Sequence, residues 1–228
     1  QIIGLGYEFM SNDSLSNYLL NNKTYQNDDI FSFMTIIRIL QGIEYLHSNS
    51  LIHRDLKSLN ILINHDGLAF ISDFETIRNI EKLEFEKTNN IGSVLYISPE
   101  QFSGNEYSYP TDVYSFGLII YFIHMLEEPK NSQIFDKKEN IPKIKKCPQI
   151  FERIYEKCIK YQQEERYTIK EIYKLIYDEI ISSNDLKRII KYIEYDHQID
   201  RIIKYIYENI CFLKHFNKSE DITINCNR

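Results

Sequence analysis

No stretch of the form GxxxxGK followed by Ser or Thr occurs in this chain, which removes the glycine-loop nucleotide-binding folds from consideration. Positive charge is not in excess: 27 Lys and Arg stand against 33 Asp and Glu, a formal net charge of −6. Nucleic-acid binding, which rests on a basic face, gets no support from that balance. Cysteine is sparse. Cys147, Cys158, Cys211 and Cys226 are far apart, with no CxxC pair and no histidines at metal spacing, so reduced cytoplasmic thiols are expected rather than a disulfide framework or a zinc site. Long apolar runs are missing too. The longest, Val113–Leu126, has fourteen residues and includes Ser115 and His124, short of the roughly twenty that span a bilayer. A segment apolar on every side yet too short for a membrane reads as a core helix. The first residues lack a basic region followed by an apolar stretch, so no signal peptide is read. The chain opens on Gln1 rather than Met, from which a fragment of a longer protein is expected.

What is present is a chain of 228 residues, 43% hydrophobic and 26% charged, enough for one sizeable domain or for one lobe with an extension. Residues 2–10 read as a strand running into a connector, and Ser11 to Leu19 as a connector and short helix. Ile36, Ile37, Leu40, Ile43 and Leu46 recur at helical spacing. They predict a helix from Ile30 to Ser48 behind a polar cap at Asn27-Asp28-Asp29. Ile61-Leu62-Ile63 and Leu68-Ala69-Phe70-Ile71 flank the turn-rich tetrad Asn64-His65-Asp66-Gly67 and predict a short hairpin. Helices are expected again at Ile150–Tyr161 and Thr168–Ile181, the second opening on a Thr168/Glu171 capping box. From Asp73 to Gly92 the chain is polar and reads as mobile; from Pro129 to Pro148 it is lysine-rich and irregular.

The chemistry concentrates in His53-Arg54-Asp55-Leu56-Lys57-Ser58-Leu59-Asn60, with Asp73-Phe74 thirteen residues after Asn60. This spacing sets a base, a cation and a metal-binding amide on one loop and a metal-binding carboxylate on the next. The intervening hairpin gives the spacing its physical reason, since it returns Asp73 toward Asn60. Phosphoryl transfer onto a hydroxyl needs this equipment, because it asks the protein mainly to position the acceptor and to neutralise charge on the phosphoryl oxygens. Magnesium prefers oxygen ligands and takes few from the protein, so one amide and one carboxylate suffice. A lone His-Arg-Asp triplet carries little weight. Three further landmarks follow in order: Ile91-Gly92-Ser93 through Tyr96-Ile97-Ser98-Pro99-Glu100, then Asp112-Val113-Tyr114-Ser115-Phe116-Gly117, then Arg166.

With these motifs the chain resembles the eukaryotic protein kinase family, over roughly residues 2–180, and HRDLKSLN is most similar to its tyrosine-kinase-like serine/threonine group. The fold this implies is mainly α: a protein-kinase-like C-terminal lobe, a helical bundle with a short β-hairpin near the catalytic loop. The N-terminal lobe is largely absent and extra C-terminal helices follow. A kinase domain of hinge, C-lobe and truncated N-lobe would take residues 1–181, and a helical C-terminal extension 182–228. The implied function is a protein serine/threonine kinase catalytic region moving the ATP γ-phosphate to a protein hydroxyl, with ATP and Mg2+ as cofactors and a protein as substrate.

By that resemblance Asp55 accepts or orients the proton of the acceptor hydroxyl and Lys57 offsets charge on the transferred phosphate. Asn60 holds one magnesium ion, and Asp73 holds magnesium against the nucleotide phosphates. Glu8 and Met10 would present backbone groups to adenine, Ser14 would lie near the ribose, and Leu62 would floor the adenine pocket. His53 and Arg54 complete the loop motif, Asp112 opens the buried central helix, and Arg166 would pair with Glu100. A phosphate on Thr88 could pair with Arg54 and order the segment; an ordinary exposed loop threonine is the equal alternative. Ser93 reads as a substrate-side positioning or regulatory hydroxyl.

Three departures bear on the function. Glu75 stands where the Asp-Phe-Gly motif has Gly, a residue that reaches backbone angles closed to others. Ser98 stands where the family usually has Ala. The Gly-rich phosphate loop and the strand lysine that should precede the hinge are not found; Gly4-Leu5-Gly6 abuts the hinge and is no substitute. The first and third make a pseudokinase or truncated scaffold the alternative, binding protein partners without turnover. Beyond residue 181, Arg-Ile-Ile-Lys-Tyr-Ile occurs at 188–193 and again at 201–206, a period of thirteen residues. A helical extension packing on the lobe is the favoured reading of it, and a partner-binding segment the other.

Overall fold

The computed structural model describes residues 9–25, 28–82, 95–104, 107–128, 143–145 and 147–182. In chain order these form α1 (Leu15–Asn21), α2 (Asp29–Ser48), β1 (Leu51–Ile52), β2 (Ile61–Ile63), β3 (Ala69–Ile71), β4 (Arg78–Asn79), α3 (Pro99–Phe102), α4 (Tyr109–Met125), α5 (Gln149–Cys158) and α6 (Ile169–Ser182). The chain divides into two compact units, Gln1–Ile169 and Lys170–Arg228. All but the first residue of α6 belongs to the second. Residues 2–8 of the expected strand, most of the lysine-rich 129–148 stretch and both copies of the hexapeptide lie outside the described residues, and residues 9 and 10 are not in a strand. Among the described residues no helix is long and apolar enough to cross a membrane.

The apolar run does form a core helix. Every residue of α4 from Thr111 to Ile123 is buried, and each large side chain such as Phe116 or Ile119 contributes about 2 kcal/mol of burial. Gly117 lets a neighbour come close: a Cβ there would stand 2.7 Å from atoms of both Cys158 and Ile159. Helix α5 can therefore pack against α4 at short range, and α2 packs on its other side. Leu126 stops the helix in the left-handed region (φ 55°).

Helix α2 starts one residue before the expected Ile30. Asp28 Oδ1 caps it by accepting from the N–H groups of Ile30 (2.9 Å) and Phe31 (3.0 Å). Ile36, Ile37, Leu40, Ile43 and Leu46 are all buried. The helix lies against β1 and β3, so it sets the floor on which the loop between those strands rests.

The hairpin pairs Ile61 with Ile71, Leu62 with Phe70 and Ile63 with Ala69. Its turn closes because Asn64 Oδ1 accepts from the N–H groups of Asp66 (3.0 Å) and Leu68 (2.9 Å), an Asx turn. Gly67 takes the left-handed angle that follows (φ 77°). Within the polar segment after Asp73 a short ladder forms that the sequence reading did not anticipate: Arg78 and Asn79 pair with Ile52 and Leu51 as an antiparallel two-stranded ladder. Ile80 N–H adds a bond to Ser50 O (2.8 Å).

Candidate active site

The loop between β1 and β2 hangs from one buried carboxylate. Asp112, in the first turn of α4, accepts from the backbone N–H of His53 through Oδ2 (2.9 Å) and from that of Arg54 through Oδ1 (3.0 Å). His47 Nε2, at the end of α2, lies 2.9 Å from the same Oδ2. An acid in the first turn also faces the positive end of the helix dipole. With two backbone donors fixed, Arg54 is held in the left-handed region (φ 74°), a conformation that costs a non-glycine residue about 1–3 kcal/mol. Its buried guanidinium carbon sits 4.1 Å from the ring centroid of Tyr107, and its carbonyl accepts from Gln101 Nε2 at 3.2 Å.

His53 orders the next layer. Its Nδ1 accepts from the Asp55 N–H at 3.4 Å, and its Nε2 lies 3.0 Å from the Ser72 carbonyl. The two bonds together place the proton on Nε2, since one ring nitrogen must accept and the other donate. The loop is thereby tied to the residue that precedes Asp73. Two more bonds do the same from Asn60, whose carbonyl accepts from Ser72 N–H and from Ser72 Oγ, each at 2.9 Å. Thr76 Oγ1 donates to the His53 carbonyl at 2.7 Å, and the Phe74 ring stands edge-on to the imidazole with centroids 5.9 Å apart.

On this frame three loop side chains meet. Lys57 Nζ donates to Asp55 Oδ2 at 2.7 Å. Asn60 Nδ2 donates to the Asp55 carbonyl at 2.8 Å and to Asp55 Oδ2 at 3.1 Å. Both bonds of Asn60 use its nitrogen; Oδ1, the atom able to ligate a cation, takes part in neither. Asp73 is exposed and left-handed (φ 63°). Its carbonyl-side neighbours Phe74 to Thr76 form a single 3-10 turn, and Glu75 within it is exposed. The left-handed position therefore falls on Asp73, a residue type that tolerates it, and the backbone at 75 requires no glycine.

A second ion pair lies deeper. Arg166 NH1 and NH2 donate to Glu100 Oε1 (2.6 Å) and Oε2 (2.7 Å), and the same guanidinium donates to the carbonyls of Lys160 (2.8 Å), Pro110 (2.9 Å) and Tyr161 (3.2 Å). Burial raises the Glu100 pKa, but the Arg166 hydrogen bonds and charge outweigh it and hold the carboxyl below its ordinary value. The α3 turn that carries Glu100 is closed by Ser98, whose Oγ accepts from Gln101 N–H (3.4 Å) while Gln101 Oε1 accepts from Ser98 N–H (2.9 Å). Ser98 thus supplies a capping oxygen that alanine in its place would lack.

Of the nucleotide-side residues, Ser14 and Leu62 face each other as an antiparallel bridge. Ser14 is buried and its Oγ caps α1 by accepting from Asn17 N–H (3.3 Å), while Leu62 and Met10 are half-buried. Glu8, Thr88 and Ser93 lie outside the described residues. Sequence reading missed Ser72, Thr76 and Gln101, which bind the loop from outside it. Only Ser98 with Gln101 carried a local signal, the Ser-Pro-Glu-Gln capping pattern.

The sequence model for the protein kinase domain matches residues 2–177. The chain is 37% identical over 141 residues to a Dictyostelium discoideum protein named "Probable LIM domain-containing serine/threonine-protein kinase", covering 59% of this chain and 22% of that one. It is 29% identical over 172 residues to the "Probable serine/threonine-protein kinase PknB" of Lactococcus lactis, covering 71% of this chain and 27% of the other. A "Probable LRR receptor-like serine/threonine-protein kinase" of Arabidopsis thaliana is 34% identical over 145 residues, covering 60% and 15%. The chain therefore spans about a quarter or less of the length of these relatives.

Proposed function

Since this chain belongs to the protein kinase domain family, we propose that it is the larger-lobe part of a serine/threonine kinase catalytic region, transferring the ATP γ-phosphate to a hydroxyl of a protein substrate. The observation that carries the reading is the meeting of Lys57 Nζ and Asn60 Nδ2 on Asp55 Oδ2, at 2.7 and 3.1 Å, inside a loop anchored by Asp112. An acceptor hydroxyl beside Asp55 gives its proton to that carboxylate as its oxygen bonds to phosphorus and the bond to the ADP oxygen breaks. Lys57, already paired with Asp55, is a compact charge able to turn to the phosphoryl oxygens as they gather charge.

Asn60 Oδ1, left over because the Asn60 nitrogen is occupied by Asp55, and the Asp73 carboxylate are hard oxygen donors of the kind magnesium takes. Bound there, the ion would supply charge neutralisation on the nucleotide phosphates. Ser72 keeps the Asp73 segment beside Asn60 through its two bonds to the Asn60 carbonyl. The scaffold alternative leaned on Glu75 and on the missing phosphate loop and strand lysine, and the 3-10 turn at Phe74–Thr76 removes the steric objection at Glu75. We assign residues 1–181 to the kinase domain and 182–228 to a helical extension packing on the lobe, with a partner-binding segment as the second reading. The family match that ends at 177 supports that boundary. A cytoplasmic location goes with this reading, supported by the free thiols Cys147 and Cys158.

The test is magnesium-dependent phosphate transfer from ATP by the protein and by its Asp55→Ala and Asp73→Ala variants. Loss of transfer in both is expected. Transfer indifferent to both substitutions would end the assignment.

A further inference from the structure

Ser58 lies between the two residues that hold Asp55. Lys57 precedes it, fully extended (φ −159°, ψ 164°), and Ser58–Asn60 then form one 3-10 turn. The Lys57 amine and the Asn60 amide both reach Asp55, so the position of Ser58 sets the direction of both. Ser58 is fully buried (0% exposed). Its hydroxyl does not bond within the loop; it donates to Glu128 Oε1 at 2.9 Å. Glu128 is far away in sequence, two residues past the left-handed stop of α4 at Leu126. The phenol of Tyr96, two residues before the Ser98 cap, is buried beside the same carboxylate: burial first, and the negative charge of Glu128 second, push its pKa up. One carboxylate therefore stands where the catalytic-loop turn, the segment leading into α3 and the chain leaving α4 come together.

We infer that Glu128 is a positioning residue for phosphate transfer, acting through Ser58 to hold Lys57 and Asn60 on Asp55. The alternative is that Glu128 is an ordinary polar residue under the loop, felt only as stability. The geometry favours the positioning role. A hydrogen bond from a neutral hydroxyl to a charged acceptor is the stronger kind, and it is made by the residue between the two Asp55 partners. The Asp112 bonds hold His53 and Arg54 at the start of the loop; the Glu128 bond is the corresponding hold on its far end. No bond is made or broken by Glu128 in this role, and it touches neither substrate nor nucleotide.

The inference rests on the kinase reading for its consequence in turnover, but not for its structural test. In the full 228-residue chain, the rate of acylation of the Lys57 amine is followed by peptide mass spectrometry, with exposed Lys170 as internal reference. Wild type is compared with Ser58→Ala, Glu128→Ala and Glu128→Gln. Loss of the hydroxyl–carboxylate bond should raise Lys57 labelling about fivefold relative to Lys170 in both alanine variants, as the Asp55 pair opens more often. Glu128→Gln keeps an acceptor oxygen for Ser58 and should return labelling toward wild type, which a purely charge-based role would not give. Ser58→Ala removes one hydroxyl only, so it reads the bond even where Glu128→Ala loosens the whole chain. Lys57 labelling unchanged in Ser58→Ala overturns the inference. In turnover the two alanine variants should lower kcat about tenfold with KM for ATP little changed, and Glu128→Gln should recover toward wild type. A wild type that transfers no phosphate would sink the kinase reading alone, while the labelling still decides the role of Glu128.

Discussion

Two cation–carboxylate pairs in this chain share a chemistry and differ in nearly everything else. Arg166 and Glu100 meet through two parallel hydrogen bonds with side chains 0% and 8% exposed, and three carbonyls take up further guanidinium donors. Lys57 and Asp55 meet through one 2.7 Å contact with side chains 19% and 11% exposed. The first is a planar fork locked on both sides, a geometry that adds directionality and resists rearrangement. The second is a point charge on a flexible stem. A pair with every donor committed can hold a fold but cannot follow a reaction. A pair with one contact near the surface can exchange its partner for a phosphoryl oxygen. Asp112 belongs with the first kind: it serves the backbone, and the loop it holds carries the second kind.

The comparison breaks most visibly at the anchors. Asp112→Ala leaves the His53 and Arg54 N–H groups buried without their acceptor, at about 1–3 kcal/mol each, and removes the hold on a left-handed Arg54. We expect a loss of about 4 kcal/mol in urea unfolding; a loss below about 1 kcal/mol would show that the loop is held elsewhere. Arg166→Ala strands the Glu100 carboxylate in the core and should cost about 3–4 kcal/mol. Lys57→Ala, by contrast, should leave the unfolding midpoint within about 1 kcal/mol of wild type while lowering transfer. Equal destabilisation by the two would erase the distinction drawn between the pairs.

Acid sharpens the same contrast. The folded pKa of Glu100 is depressed, so its contribution is present above the ordinary 4.5 and is lost as pH falls through the lower folded value. Burial holds His124 at about 4, below its ordinary 6.5. The unfolded chain therefore takes up that proton first, and stability falls as pH drops from 6.5 toward about 4. Both groups make acid destabilising, in two windows. Unfolding free energy measured against pH should lose its upper step in His124→Asn and its lower step in Arg166→Ala. A profile unchanged by either substitution would contradict the assignments. The smallest effect is expected at Glu75. Because the left-handed angle belongs to Asp73, Glu75→Gly should not stabilise, and should cost about 0.5–1 kcal/mol of backbone entropy by thermal unfolding. A gain would mean that residue 75 is strained.

The sequence carried the parts whose signals are local. Ile36 through Leu46 repeat at helical spacing over about three turns, and the Asn64–Gly67 tetrad spells a turn. The apolar run of α4 leaves a helix few places but the core. The order of loop, hairpin and Asp73 carried the frame of the site as well. What was not legible is what joins distant segments. Strands β1 and β4 have two residues each, too short for an alternating pattern to register, so no strand was read in the polar stretch after Asp73. Ser72 binds Asn60 through a backbone carbonyl, to which side-chain identity is silent. The Ser58–Glu128 bond spans seventy residues, and neither partner is unusual in its own neighbourhood. Ser98 was noticed as a departure from alanine, but its capping role shows only when Gln101 is considered with it.

On the proposed function Asp55, with Lys57 and Asn60 on it, does chemistry that the anchors only support. The decisive measurement is phosphate transfer from γ-labelled ATP by wild type and Asp55→Asn alongside their thermal unfolding. A fall in kcat of about a thousandfold is expected, with the unfolding temperature nearly unchanged. Transfer that survives the substitution, or that disappears only because the protein unfolds, would contradict it.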